Sequence, residues 1–135
     1  MDRSEIMALL PHRDDMLLLD WAQLDEGGAI GRYAVRGDEF FLRGHFPGNP
    51  VVPGVILCEI MAQSSCILLG DELRGRTPYL AGLGNVRFRR PVRPGEVIQT
   101  RVSLKRHKLV IYQLTGEARV AGEVCAEGEF TCALR

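Results

Sequence analysis

Residues 53–69, PGVILCEIMAQSSCILL, decide the fold. Their length and apolar density predict a helix, with Pro53 at the first turn, where a missing N–H has no helical partner in any case. Val55, Ile56, Leu57, Ile60, Met61, Ile67, Leu68 and Leu69 leave no polar face, and no lysine or arginine occurs between Gly44 and Leu73. A helix that is apolar all round has to be enclosed. Glu59, Gln63, Ser64 and Ser65 in its middle make it too polar, and its length too short, for a membrane span.

The enclosure has to come from the rest of the chain. Ile98, Thr100, Val102 and Leu104 alternate with polar neighbours; so do Val110, Tyr112, Leu114, Ala118 and Val120, and again Val124, Ala126, Phe130, Cys132 and Leu134. Period two over three runs predicts antiparallel strands with one buried face. His107-Lys108 and Ala121-Gly122 are the candidate hairpin turns, and Pro94-Gly95 another turn. Upstream, Leu17–Asp25 and Ala29–Val35 flank a hairpin turn at Glu26-Gly27-Gly28, and Arg3–Leu10 forms a short helix stopped by Pro11. The expected class is α+β: one domain, residues 1–135, with an antiparallel sheet wrapped around one long central helix.

With 135 residues, one domain can bury roughly two thirds of its unfolded surface, so no metal or disulfide staple is needed. Seventeen basic and seventeen acidic residues cancel, which excludes a strongly basic nucleic-acid binder and a disordered acidic tail. The balance hides an asymmetry. Met1–Gly44 holds nine acids and five bases, whereas Arg87–Lys108 holds eight bases and one acid, Glu96. Solvated strand faces explain such a run. So does a docking surface for an acidic partner, for which Arg89, Arg90 and Arg93 are the candidates. The polar, acidic opening residues show no signal peptide, so cytoplasmic residence is expected. Four cysteines fit that setting as free thiols: Cys58 and Cys66 lie too far apart along one helix to bridge, and Cys125 and Cys132 fall on opposite faces of one strand. No CxxC occurs, so no metal site is expected.

Two residues stand out as chemical groups. Glu59 lies in the second turn of the enclosed helix, too deep to cap it. Burial raises a carboxyl pKa, which suits a general acid. Gln63, one turn later, is placed to hold it. The alternative is a glutamate that reaches solvent or a subunit seam. His45 sits in Gly44–Gly54, a segment with three glycines and three prolines in eleven residues. Such a loop has fixed dihedrals and would aim a neutral imidazole as a base, although a surface histidine is the simpler reading. The helix start at Gly54 adds an unpaired N–H and a positive dipole end, suited to a polarised carbonyl. His12 is expected to fix the start of the chain, His107 to be solvated in a turn, and Trp21 and Tyr112 to lie in the core.

Gly44-His45-Phe46-Pro47-Gly48-Asn49-Pro50-Val51-Val52-Pro53-Gly54-Val55 with Glu59-Ile60-Met61-Ala62-Gln63 closely resembles the signature of the β-hydroxyacyl-acyl carrier protein dehydratases of type II fatty acid synthesis. The match is to the branch with Glu, rather than Asp, at the acid position. Leu10-Pro11-His12-Arg13 with Leu17-Leu18-Leu19-Asp20, and Val86-Arg87-Phe88-Arg89-Arg90-Pro91-Val92 with Pro94-Gly95-Glu96, extend the resemblance along nearly the whole chain, the latter as the family's third strand and turn. Asp14-Asp15-Met16 departs from the Tyr-Pro-Phe often found there. The resemblance implies the hot-dog fold and no cofactor. It implies His45 as base at C2 of a (3R)-hydroxyacyl thioester, Glu59 as acid on the C3 hydroxyl, and the Gly54 N–H on the thioester carbonyl beside Val55. It also implies the Val51 carbonyl as the support of the His45 ring. Acyl carrier protein is the implied partner. His and Glu of one site come from different subunits of a homodimer, which often assembles as a trimer of dimers. A thioesterase of the same fold would use the carboxylate and leave His45 idle. A non-catalytic acyl-binding module would need none of the three groups.

Overall fold

A computed structural model describes all 135 residues. The long helix, α2, spans Gly54–Leu68 and buries ten of its fifteen residues, so it is enclosed as predicted. It begins one residue after Pro53, whose ψ of 140° is extended rather than helical. A short helix, α1 (Arg3–Leu9), precedes it. Two strands lie between the helices, β1 (Trp21–Asp25) and β2 (Gly28–Ala34), and four come after α2: β3 (Pro78–Phe88), β4 (Val97–Lys108), β5 (Ile111–Val120) and β6 (Glu123–Leu134). They form one antiparallel sheet in the order β1-β2-β4-β5-β6-β3. Its concave face meets α2 through Ile98 and Val102 of β4, Leu114 and Ala118 of β5, and Phe130 of β6, all at most 1% exposed. Each of these side chains except Ala118 contributes about 1.5–3 kcal/mol by leaving water.

The helix touches the sheet at a polar rivet. Ser64 Oγ lies 2.6 Å from Thr100 Oγ1, which accepts the Gly31 N–H at 3.1 Å. A Cβ on Gly31 would stand 2.5 Å from Ser64 Oγ and 2.7 Å from Thr100 Oγ1, so only glycine admits this approach.

Several expectations need correction. The β4–β5 turn is Leu109-Val110, since Lys108 pairs with Ile111. His107 therefore lies within β4, exposed, with its ring stacked 5.0 Å from Tyr112. Leu17–Leu19 are buried but not extended into β1, which starts at Trp21. Trp21 is half-buried under the Arg32 guanidinium, 4.6 Å from its ring, rather than in the core; Tyr112 is buried. Cys125 and Cys132 both point inward. The register passes from Ala118–Ala126 to Arg119–Val124, leaving Cys125 as the extra residue of a β-bulge, and the bulge shifts the alternation by one. Cys132 then lines the same cavity as Cys66 of α2, and all four cysteines are free thiols.

Strand β3 extends well upstream of the predicted Val86. None of its eleven residues is buried, so no period-two signal marks it. It is an edge strand with Tyr79, Leu80, Leu83 and Phe88 between 42% and 53% exposed. No helix is long and apolar enough to cross a membrane.

Candidate active site

The loop before α2 folds on itself. Phe46 and Asn49 exchange backbone hydrogen bonds at 2.9 and 2.8 Å, and the Val51 N–H donates to the His45 carbonyl at 2.8 Å. Gly44 and Gly48, at φ 80° and 74°, supply the left-handed bends that other residues resist. The Val52 N–H ties the loop to Val92 at 2.8 Å. His45 is thereby held beside α2, with its ring stacked 4.1 Å from that of Phe46 across a cis peptide bond. Its Nδ1 lies 2.8 Å from the Val51 carbonyl. A carbonyl only accepts, so Nδ1 carries the hydrogen and the neutral ring leaves Nε2 as a free lone pair.

His45 opens onto a groove of about 550 Å³ lined by Val51, Gly54, Val55, Phe88, Arg89 and Arg90 among others. The start of α2 faces this groove. Pro53 gives it no side-chain cap, and the Gly54 N–H has no acceptor in the chain. Phe88 covers this point closely: a Cβ on Gly54 would stand 2.9 Å from its ring.

Glu59 lies elsewhere. Five residues along a helix turn the side chain about 140° around the axis. It lines a separate cavity of about 170 Å³ with His12, Gln63, Cys66, Tyr79 and Phe130, sharing no residue with the His45 groove. One chain thus brings His45, Val51, Gly54 and Val55 together and sets Glu59 and Gln63 apart from them.

Gln63 is 1% exposed and fully engaged. Its Nε2 donates to Glu59 Oε1 at 3.0 Å and to the Met16 carbonyl at 2.7 Å, while its Oε1 accepts the Leu18 N–H at 2.9 Å. The same amide therefore orients Glu59 and clamps the Met16–Leu18 segment. Gln63→Met should lower stability by about 2–3 kcal/mol, because a buried N–H loses its acceptor. Denaturant melts measure this; an unchanged midpoint would contradict it.

The Glu59 carboxyl sits below the ordinary glutamate range, not above it as burial alone predicts. Burial does push it up, but hydrogen bonds from His12 and Gln63, and the charge of His12, outweigh that. No local pattern in the sequence marks His12 as a neighbour of Glu59; its Nε2 is 3.4 Å from Oε1. Nor does it fix the chain start. Arg13 does so, donating to the carbonyls of Met7, Leu10 and His12 at 2.9, 2.7 and 2.7 Å.

Four of the eight bases of the segment, Arg89, Arg90, Arg101 and Lys105, pair with carboxylates of the chain. Arg89 pairs with Glu127 at 2.8 Å, and Arg90 with Glu96 at 2.6 Å and Glu123 at 3.4 Å. The Arg93 backbone N–H donates to Glu96 Oε1 at 2.8 Å, while its guanidinium has no carboxylate partner and donates to Asn49 Oδ1.

A sheet curled around one buried helix, with a loop imidazole at the helix start and a carboxylate further along it, defines a hot-dog domain. A family model described as the FabA-like domain matches residues 10–129. The chain is 41% identical over 135 residues to the 3-hydroxyacyl-[acyl-carrier-protein] dehydratase FabZ of Caulobacter vibrioides, covering 96% of this chain and 85% of that one. It is 43% identical over 138 residues to the FabZ dehydratase of Caldicellulosiruptor saccharolyticus, covering 99% of each. Among solved structures, the dehydratase heterocomplex ApeI:P of Xenorhabdus doucetiae shares the fold, with a TM-score of 0.83 at 21% identity over 96% of this chain and 90% of that one. The chain belongs to the FabA-like family of hot-dog dehydratases.

Proposed function

We propose that this chain reversibly dehydrates (3R)-hydroxyacyl thioesters on acyl carrier protein to trans-2-enoyl thioesters, as a step of fatty acid biosynthesis. The observation that carries the reading is the bond between His45 Nδ1 and the Val51 carbonyl, which leaves Nε2 as the base. His45 takes the proton from C2. The electron pair moves toward the thioester carbonyl, whose oxygen receives the Gly54 N–H and the positive end of α2. The C2–C3 double bond then forms as the C3–O bond breaks, and the hydroxyl leaves as water with a proton from Glu59. An acyl chain filling the Glu59 cavity removes the remaining water from the carboxyl and pushes its pKa back up, toward the protonated form the step needs.

The two half-sites meet across a dimer. Pro78, Tyr79 and Leu80, at one end of β3, border the Glu59 cavity; Phe88, at the other end, borders the His45 groove. Antiparallel pairing of β3 with β3 of a second copy, centred on Leu83, sets Pro78 opposite Phe88. Each Glu59 cavity then faces the His45 groove of the other chain. The unpaired edge and its exposed apolar side chains support this pairing. Such dimers can further assemble in threes.

The carrier protein is acidic by this reading and meets the rim of the His45 groove. Arg93 is the best-placed contact, because Arg89 and Arg90 already hold carboxylates. Arg93→Glu should raise KM for a carrier-bound substrate about tenfold and leave KM for a small pantetheine thioester unchanged. Equal effects on both substrates would remove Arg93 from the docking surface.

The reaction itself is tested by supplying a 3-hydroxyacyl carrier-protein thioester and following enoyl absorbance and free thiol together. Enoyl formation without thiol release is expected. Thiol release without enoyl interconversion would assign the chain as a thioesterase instead.

A further inference from the structure

His12 has one polar contact through its ring, and that contact is Glu59. Its Nε2 lies 3.4 Å from Oε1, with the ring 20% exposed. Its Nδ1 is buried and meets no partner. A histidine kept for structure normally uses its buried nitrogens on backbone or side-chain partners. Here the neighbouring Arg13 does the anchoring, so His12 has no other bond to justify its place.

We propose that His12 is a positioning residue for dehydration: its Nε2–H donates to Oε1 of Glu59 and, with Gln63 Nε2 on the same oxygen, leaves Oε2 as the one that carries and delivers the proton. The proposal rests on the reading of Glu59 as the general acid. Gln63 reaches Oε1 at 3.0 Å, and no group of the chain bonds to Oε2.

The surroundings give His12 this role alone. The other titratable groups around the carboxyl are Cys58 and Cys66 of α2, Tyr79 of β3 and Cys132 of β6, and no lysine or arginine lines the cavity. His12 is therefore the only basic group beside Glu59. Its hydrogen bond and charge, together with the Gln63 amide, hold the carboxyl below its ordinary value against the upward push of burial. Removing His12 leaves burial and one amide, and the carboxyl rises.

The test compares wild type with His12→Phe and His12→Gln in the full chain. The Glu59 carboxyl carbon is followed by NMR, its resonance identified by its loss in Glu59→Gln. It should titrate at higher pH in His12→Phe than in wild type, with His12→Gln, a neutral donor, in between. One limb of the pH profile of kcat/KM for a carrier-bound substrate should move upward in the same order, with kcat changed and KM held. A merely structural histidine would lower the melting temperature and leave the profile in place. An unshifted carboxyl titration with a superimposable pH profile would overturn the proposal, and His12→Gln alone serves this comparison if His12→Phe does not fold. Full dehydration by Glu59→Gln would overturn both this proposal and the reading of Glu59 on which it stands.

Discussion

His45→Ala and Glu59→Gln each reduce enoyl formation by about 10²–10⁴-fold, the range expected when a positioned base or acid is lost. Both proteins stay folded. His45 lies in a surface loop held by backbone bonds among His45, Phe46, Asn49 and Val51, which survive the loss of its ring. The amide introduced by Glu59→Gln keeps the shape of the carboxyl, and its oxygen still accepts from Gln63, so the clamp on Met16–Leu18 survives. The losses should fall in kcat with little change in KM, since neither group is needed to hold the acyl chain. Stopped assays of enoyl product, alongside thermal melts, make the comparison. Wild-type kcat in either variant, with an unaltered melt, would remove that residue from the mechanism.

Much of this was readable from the sequence because enclosure leaves a strong mark. A helix with no polar face and a single charge implies a sheet around it, and three alternating runs supply β4, β5 and β6. The strand that matters most for the site was the faintest. β3 buries nothing in the single chain, so burial wrote no period into Pro78–Asn85, and only the resemblance at Val86 marked it. The Glu59 environment failed for a different reason. Burial was legible from the helix, but the His12 contact joins residues 47 apart in sequence, and it reverses the direction of the pKa shift. Likewise the basic run Arg87–Lys108 looked like a free surface because Glu123 and Glu127, which neutralise part of it, come from another strand. Local pattern records which face is buried. It does not record which distant side chain meets it there.

Mixing the two inactive variants should restore activity, and this follows from the division of the site within one chain. His45 and Glu59 line cavities with no common residue, one near each end of the β3 edge. If each working site takes His45 from one subunit and Glu59 from the other, a dimer of one His45→Ala chain and one Glu59→Gln chain contains one site with both groups intact and one with neither. Random exchange of equal amounts makes half of all dimers mixed, so about a quarter of the wild-type sites return. The two variants are co-expressed with different tags, and mixed dimers are purified through both. These should show about half the wild-type kcat per dimer, with KM unchanged. Mixed dimers as inactive as the parents would mean that both groups serve one chain, and the β3–β3 arrangement would fall with that result. Leu83→Arg supplies the companion measurement. Two arginines brought face to face at the centre of the paired strands repel each other and lose the apolar cover. Sedimentation should then show monomers, and the dehydration rate should fall with the dimer fraction, because a lone chain retains a base and an acid that never meet at one substrate.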